Sequence, residues 1–304
     1  MSTPRKTLVL ASTMIFITLV GYLLGAYSLA RNMWPIEEIR AFKNYVMGQT
    51  SASKVTPLFD GYGRLMSYPG KTEVDCPKQT DKTLVLLIAG QSNTGNHAGQ
   101  RYESNYGTRI VNFWNGKCYK AESPLLGTTG FFGESWTLLA NKLIKEGMAE
   151  QVVLVPAGIG GTPISRWQSG GDLNKMLIEV VNFAQAKYKV SQVLWHQGES
   201  DYGITTNAKT YTDNFNSLGD SLRKNGVTSP ILVSIATKCD PSWSENNPVG
   251  LAQKHLPDSS KGFYAGPNTD ALLNKLDRYD GCHFSGSGQE KFADAWVKAI
   301  KQAK

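Results

Sequence analysis

The strongest constraint on the fold is the stretch Leu84-Val85-Leu86-Leu87-Ile88-Ala89, which is aliphatic without interruption and stops at Gly90-Gln91-Ser92-Asn93. A run that short and that apolar predicts a strand buried on both faces, as in a parallel sheet covered by helices on either side. In open α/β sheets the ligand crevice lies beyond the carboxyl ends of such strands, where Ser92 falls. A serine on a tight turn there presents its hydroxyl to the crevice and leaves turn amides free to hold an oxyanion. Taken alone, Gly-Gln-Ser-Asn is an ordinary polar turn. The rest of the chain decides.

From residue 81 onward, strand and helix patterns alternate. Strands are predicted over 83–89, 109–114, 151–156, 192–196 and 230–236, and helices over 133–146, 172–188, 208–224 and 288–301. Asp172 is the expected N-cap of the second helix. Alternation of this kind means βαβ units, a parallel sheet and a three-layer α/β/α sandwich. No Gly-x-Gly-x-x-Gly follows the first strand and there is no Walker pattern, which disfavours a nucleotide-binding version of the fold.

Before this domain, Leu8 to Ala30 carries no charged residue. Its 23 residues match the roughly 20 that a helix needs to cross a bilayer. Arg5 and Lys6 precede it and would hold that end in the cytoplasm. The expectation is a cytoplasmic tip and transmembrane anchor over 1–31, a stalk over 32–80, and the α/β domain over 81–304 outside the cytoplasm. A cleaved signal peptide ending near Ser28-Leu29-Ala30 is the competing reading and sends the domain to the same compartment. The four cysteines, Cys76, Cys118, Cys239 and Cys282, form no Cys-x-x-Cys pair, so no zinc or redox motif is indicated. Their places relative to the strands favour 76–118 and 239–282 among the three pairings that four cysteines allow, which the sequence alone leaves open. The net charge of +7 has no Lys/Arg cluster behind it, so nucleic acid is not an expected partner. The sequence gives no oligomeric state.

Polar clusters follow the strands in order: Gly90-Gln91-Ser92-Asn93; Gly160-Gly161-Thr162, with Trp167 after it; Gln197-Gly198-Glu199-Ser200-Asp201; and Asp280-Gly281-Cys282-His283. All four are expected at one crevice. A serine hydroxyl needs a base to take its proton. His283, with a carboxylate three residues earlier, is the histidine built for that: Asp280 fixes its tautomer and steadies the imidazolium. The Ser92 amide, an amide of Gly160-Gly161 and the Gln197 side chain are candidate oxyanion donors. Trp167 is expected at the rim, where aromatics stack on sugars, and Glu199 beside the site. His97 is placed at the crevice rim, His196 buried with a satisfied ring, and His255 outside the site.

These residues together resemble the SGNH/GDSL-type hydrolases of the sialate O-acetylesterase and acetylxylan esterase branch, the carbohydrate esterase family 6 type. The resemblance covers Leu84 to the C-terminus. It implies a flavodoxin-like sandwich, ester hydrolysis with no metal or cofactor, and an acetylated glycan as partner. It implies Ser92 as nucleophile, His283 as base, Asp280 as orienting acid, and oxyanion donors at Ser92, at Gly161 or its neighbour, and at Gln197. Gln91, Asn93, Gly160, Thr162, Trp167 and Glu199 are then expected to contact substrate or support the site. Cys282 inside the Asp-x-x-His turn departs from the motif and sets a disulfide beside it. Acetyl transfer between glycans and a catalytically silent glycan-binding module are the alternatives to hydrolysis.

Overall fold

The structure, a computed structural model, describes residues 56–240 and 242–303, with Gly21 alone before them. Ten strands are present among the described residues: β1 (Leu58–Phe59), β2 (Leu65–Ser67), β3 (Glu73–Val74), β4 (Thr83–Gly90), β5 (Ile110–Trp114), β6 (Lys117–Lys120), β7 (Gln151–Gly158), β8 (Gln192–His196), β9 (Ile231–Ile235) and β10 (Phe263–Asn268). The main helices are α1 (Trp136–Lys145), α2 (Asp172–Gln185), α3 (Glu199–Gly203), α4 (Ala208–Lys224), α5 (Pro248–His255), α6 (Thr269–Leu272) and α7 (Gly286–Gln302).

Eight strands form one sheet in the order β10-β9-β8-β4-β7-β5-β6-β3. The aliphatic stretch is its central strand, paired in parallel with β7 on one side and β8 on the other. Both faces of β4 are covered. Val85, Leu87 and Ala89 join a core with Met176 and Leu177 of α2 and Tyr211 and Phe215 of α4. Leu86 and Ile88 join a second core with Trp136 and Leu139 of α1 and Phe292 and Trp296 of α7. Alternate residues of a strand point to opposite faces, so two covered faces require an unbroken apolar run. The expected three-layer sandwich is therefore observed.

Two features differ from expectation. The sheet is not wholly parallel, because β5 and β6 form an antiparallel hairpin. Asn115 and Gly116 join them with φ of 48° and 79°, the backbone signature of a type I′ turn, whose twist suits a two-residue hairpin. The strand order is also not the flavodoxin one. Counted in chain order, the parallel strands run 2-3-1-4-5-6, against 2-1-3-4-5 for flavodoxin. After the hairpin and α1 the chain returns to insert β7 between β5 and β4. Successive strands lie to one side of β4 up to β7 and to the other from β8 onward. The switch point, where open sheets of this class bind ligands, thus falls at β4.

Residues 56–80, expected as part of a stalk, pack onto the domain instead. β3 pairs with β6 as an edge strand, and Cys76 is disulfide-bonded to Cys118. Leu65 is fully buried against Trp114 and Leu126. Both predicted disulfides, 76–118 and 239–282, are present. Asp172 is not the N-cap of α2. Gly171 holds that position, and Asp172 turns back to pair with Arg166 at 2.6 Å. Among the described residues no helix is long and apolar enough to cross a membrane. The expected span over 8–30 lies, Gly21 excepted, outside those residues.

Candidate active site

β4 ends at Gly90, whose φ is +139° and whose missing Cβ would sit 2.1 Å from the His196 carbonyl oxygen. Only glycine fits so close a crossing of β4 and β8. The chain then turns into a short 3₁₀ segment, Ser92–Thr94. The Gln91 amide is tied to the His196 carbonyl and the Thr94 hydroxyl to the Gln91 carbonyl. The Ser92 amide has no partner among the described residues. Ser92 lines a cleft of about 690 Å³ together with His283, His97, Thr129, Gly160 and Gly161.

His283 enters this cleft from the turn before α7. One oxygen of Asp280 accepts the amides of Cys282 and His283, at 2.9 and 2.7 Å, and closes the turn. The other meets His283 Nδ1 at 2.6 Å. With Nδ1–H given to the carboxylate, Nε2 is left as the acceptor for a serine proton, by the logic of the Ser-His-Asp triad. Burial pushes the Asp280 carboxyl up, but hydrogen bonds from the His283 ring and from the two amides outweigh it, and the group is held at about 2. Ser92 and His283, far apart in sequence, thus share one cleft. No hydrogen bond joins them among the described residues. In unliganded sites such bonds often tighten only when substrate arrives.

The Asp280–His283 turn is tied down on several sides. Cys282 is linked to Cys239 in the loop after β9. The Cys282 carbonyl accepts from Arg278 at 2.6 Å and, more loosely, from Asn93 Nδ2 at 3.4 Å. Asn93 also donates to Glu199 Oε1 at 3.0 Å. Asn93 thus bridges the Asp280–His283 turn and the Glu199 carboxylate after β8. Burial raises the Glu199 carboxyl, but the His196 imidazole 3.6 Å away and the Asn93 amide more than offset it, leaving the acid below the usual carboxylate range. The His196 ring is buried against Phe284 and Phe292, and neither ring nitrogen has a hydrogen-bond partner, contrary to the expectation of a satisfied ring. His255 is exposed on α5, clear of the cleft.

The oxyanion donors differ in part from expectation. The Gly160 amide is spent on Thr129 Oγ1 at 2.9 Å, whereas the Gly161 amide has no partner among the described residues. Of the two, Gly161 is the one free to bind. Gln197 is fully buried. Its Nε2 donates to the Thr162 carbonyl at 3.0 Å and to Asp201 at 2.5 Å, and its Oε1 accepts from the Tyr211 hydroxyl at 2.9 Å. That side chain braces the loops beneath the cleft and has no donor left for a ligand. Gln91 is better placed: its Oε1 accepts the Ser200 amide at 3.1 Å, while its Nε2 makes no hydrogen bond within the described protein and the residue lines the cleft. Gln91→Ala should lower kcat by about 100-fold, the size of a lost oxyanion donor. Gln197→Ala should act mainly on stability. A kcat unchanged by the first substitution would remove Gln91 from this role.

Trp167 also differs from the expectation of a place at the rim, while Thr162 supports the site from within its loop. Trp167 is wholly buried, packed edge-on against Trp195 at 5.3 Å, with its Nε1 on Thr162 Oγ1. Thr162 in turn donates to the Ile159 carbonyl. Both hold the loop after β7 rather than meeting the cleft, because the short 3₁₀ segment Ile164–Arg166 turns the indole inward. Trp167→Ala should therefore cost about 3–5 kcal/mol in denaturant unfolding and leave KM alone. A raised KM at unchanged stability would return Trp167 to the rim.

His97 and Thr129 make up the other wall. The His97 ring stacks on His283, with centroids 5.4 Å apart, and its Nε2 meets Thr129 Oγ1 at 3.1 Å. Burial, and secondarily the neighbouring His283, lowers His97 to about 4, so it is neutral near pH 7. Sequence placed His97 only at the rim and missed Thr129, which follows no strand and no motif.

Comparison with known proteins bears on the fold and the family. A curated protein of Arabidopsis thaliana named as a probable carbohydrate esterase is 35% identical over 71 residues, 23% of this chain. The match spans only 27% of that relative's length. Its crystal structure superposes with a TM-score of 0.57 at 20% identity, covering 73% of this chain and 98% of that one. An acetyl xylan esterase from Geobacillus stearothermophilus is a more distant likeness, with a TM-score of 0.47, 16% identity, and 71% and 94% of the two chains covered. The model of the carbohydrate esterase, sialic acid-specific acetylesterase family matches residues 82–302. That span contains every site residue named above, and the chain belongs to this family of carboxylic ester hydrolases.

Proposed function

We propose that the protein is a serine esterase that removes O-acetyl groups from a carbohydrate through an acetyl-enzyme. Ser92 attacks the acetyl carbonyl while His283 Nε2 takes its proton. The oxyanion forms against the Ser92 and Gly161 amides, with Gln91 Nε2 as a third donor. His283 then returns the proton to the departing sugar hydroxyl. Water then attacks the acetyl-enzyme carbonyl while His283 Nε2 takes its proton, and His283 returns that proton to Ser92 Oγ as the Oγ–acyl bond breaks and acetate leaves. Asp280 stays ionised throughout and stabilises the imidazolium.

The observation that carries this reading is the 2.6 Å Asp280–His283 pair set in the same cleft as Ser92, beside backbone amides with no internal partner. The two disulfides fit an oxidising compartment outside the cytoplasm. The test is acetate release from a panel of acetylated oligo- and polysaccharides by the full-length protein. Release from at least one member, lost with Ser92→Ala, supports the reading. Binding without release from any member would favour a silent glycan-binding module, and acetyl appearing on an added acceptor glycan would favour transfer.

A further inference from the structure

Beside the cleft lies a cluster of exposed aromatic rings that the proposed chemistry does not use. Phe59, Phe131 and Phe132 are 41%, 43% and 43% exposed. Phe131 stacks on Phe132 with centroids 4.7 Å apart, and Phe59 meets Phe131 edge-on at 6.4 Å. Leaving three such rings in water is unfavourable unless something covers them.

Both segments that carry these rings run straight into the cleft. Two and three residues past Phe59, Gly61 and Tyr62 line it, and two residues before Phe131, Thr129 lines it. The Phe132 amide is held by the Asn96 carbonyl, next to cleft-lining His97. The patch is thus continuous with the wall formed by His97 and Thr129. Its border is polar: Arg101 donates to the Phe131 carbonyl and to the Tyr68 hydroxyl. Flat apolar faces edged by hydrogen-bonding groups suit a sugar ring, which has a C–H face and a rim of hydroxyls.

We propose that Phe59, Phe131 and Phe132 form a glycan-binding platform that takes the sugar residues next to the acetylated one, so that the preferred substrate is an acetylated oligo- or polysaccharide rather than an acetylated monosaccharide. This rests on the esterase reading above. With the scissile acetyl at Ser92, a chain leaving the cleft past Thr129 passes over these rings. Their contribution is to binding alone, since none of the three touches the reacting atoms.

The test compares the full-length protein with Phe59→Leu/Phe131→Leu, which keeps apolar bulk and removes the flat faces. Three substrates are used: an acetylated oligosaccharide, an acetylated monosaccharide and p-nitrophenyl acetate. Stacking on a ring is worth ~1 kcal/mol, about five-fold in affinity. The double variant should raise KM for the oligosaccharide at least ten-fold, with kcat held and both parameters for the two small esters near parental. Phe131→Tyr, which keeps the ring, should retain the parental KM. Parental oligosaccharide KM in the leucine variant overturns the platform. If light scattering then shows a lower molar mass as well, the patch belongs to a second copy of the chain. Turnover of p-nitrophenyl acetate, and its loss in Ser92→Ala, tests the esterase reading separately.

Discussion

Ser92→Ala should reduce kcat for acetate release by about 10⁵–10⁶-fold, the scale seen when a nucleophile is removed from a cooperating triad. The substitution deletes one oxygen and leaves the surrounding frame alone. The Gln91 amide stays on the His196 carbonyl, and Asn93 stays on Glu199. Substrate should still bind, because the cleft walls keep their shape. Rate and affinity therefore separate, and that separation is the informative result. Acetate release followed under single-turnover conditions, alongside binding of the acetylated glycan by calorimetry, reads both. A variant hydrolysing at a rate near the parental one would mean that another group attacks the ester.

The second large effect is expected from Asp280→Asn, at about 10⁴-fold in kcat. Asparagine can still accept the Cys282 and His283 amides through its oxygen, so the turn should hold. The atom now facing His283 Nδ1 is an NH₂ donor. It forces Nδ1 to accept, moves the ring proton to Nε2, and leaves no lone pair there for the serine proton. Far-ultraviolet circular dichroism and melting should stay close to parental while kcat falls. A loss of kcat smaller than ten-fold would mean that the carboxylate does not orient the base. The carboxyl also sets a pH dependence. Because its folded pKa is depressed, to about 2, the stabilisation from its hydrogen bonds is fully present above the ordinary carboxylate range. It is lost only as pH falls from that range toward 2. Activity lost between pH 5 and 7 is therefore not protonation of Asp280.

The central sheet was legible because its strands are apolar on both faces and so cannot be mistaken for surface segments. β10 was not: Phe263-Tyr264-Ala265-Gly266-Pro267-Asn268 has no aliphatic run and contains a proline, tolerated because the strand lies at the sheet edge. β6 was signalled by Asn115-Gly116, a hairpin turn that the search for parallel units passed over. At the site, the Asp280–His283 pair was legible because it depends on local spacing, and its place in one cleft with Ser92 because both follow from strand-end order. Gln197 and Trp167 were not, because their roles depend on distant partners. The Tyr211 hydroxyl, on α4, donates to Gln197 Oε1, and Trp195, on β8, receives the Trp167 ring. A loop motif says which groups are present and not which of them turn inward. The Gln91 side chain was underrated for the same reason: its free donor follows from Ser200 occupying the other end of the amide.

The bridge from Asn93 to Cys282 spans 189 positions of sequence. Ser92 is therefore made well before His283, and the two meet only after the strands between them have been synthesised. On the proposed reading, Ser92 has no base until the Asp280–His283 turn docks beside it. On that reading, any truncation ahead of Asp280 should leave a chain with no turnover.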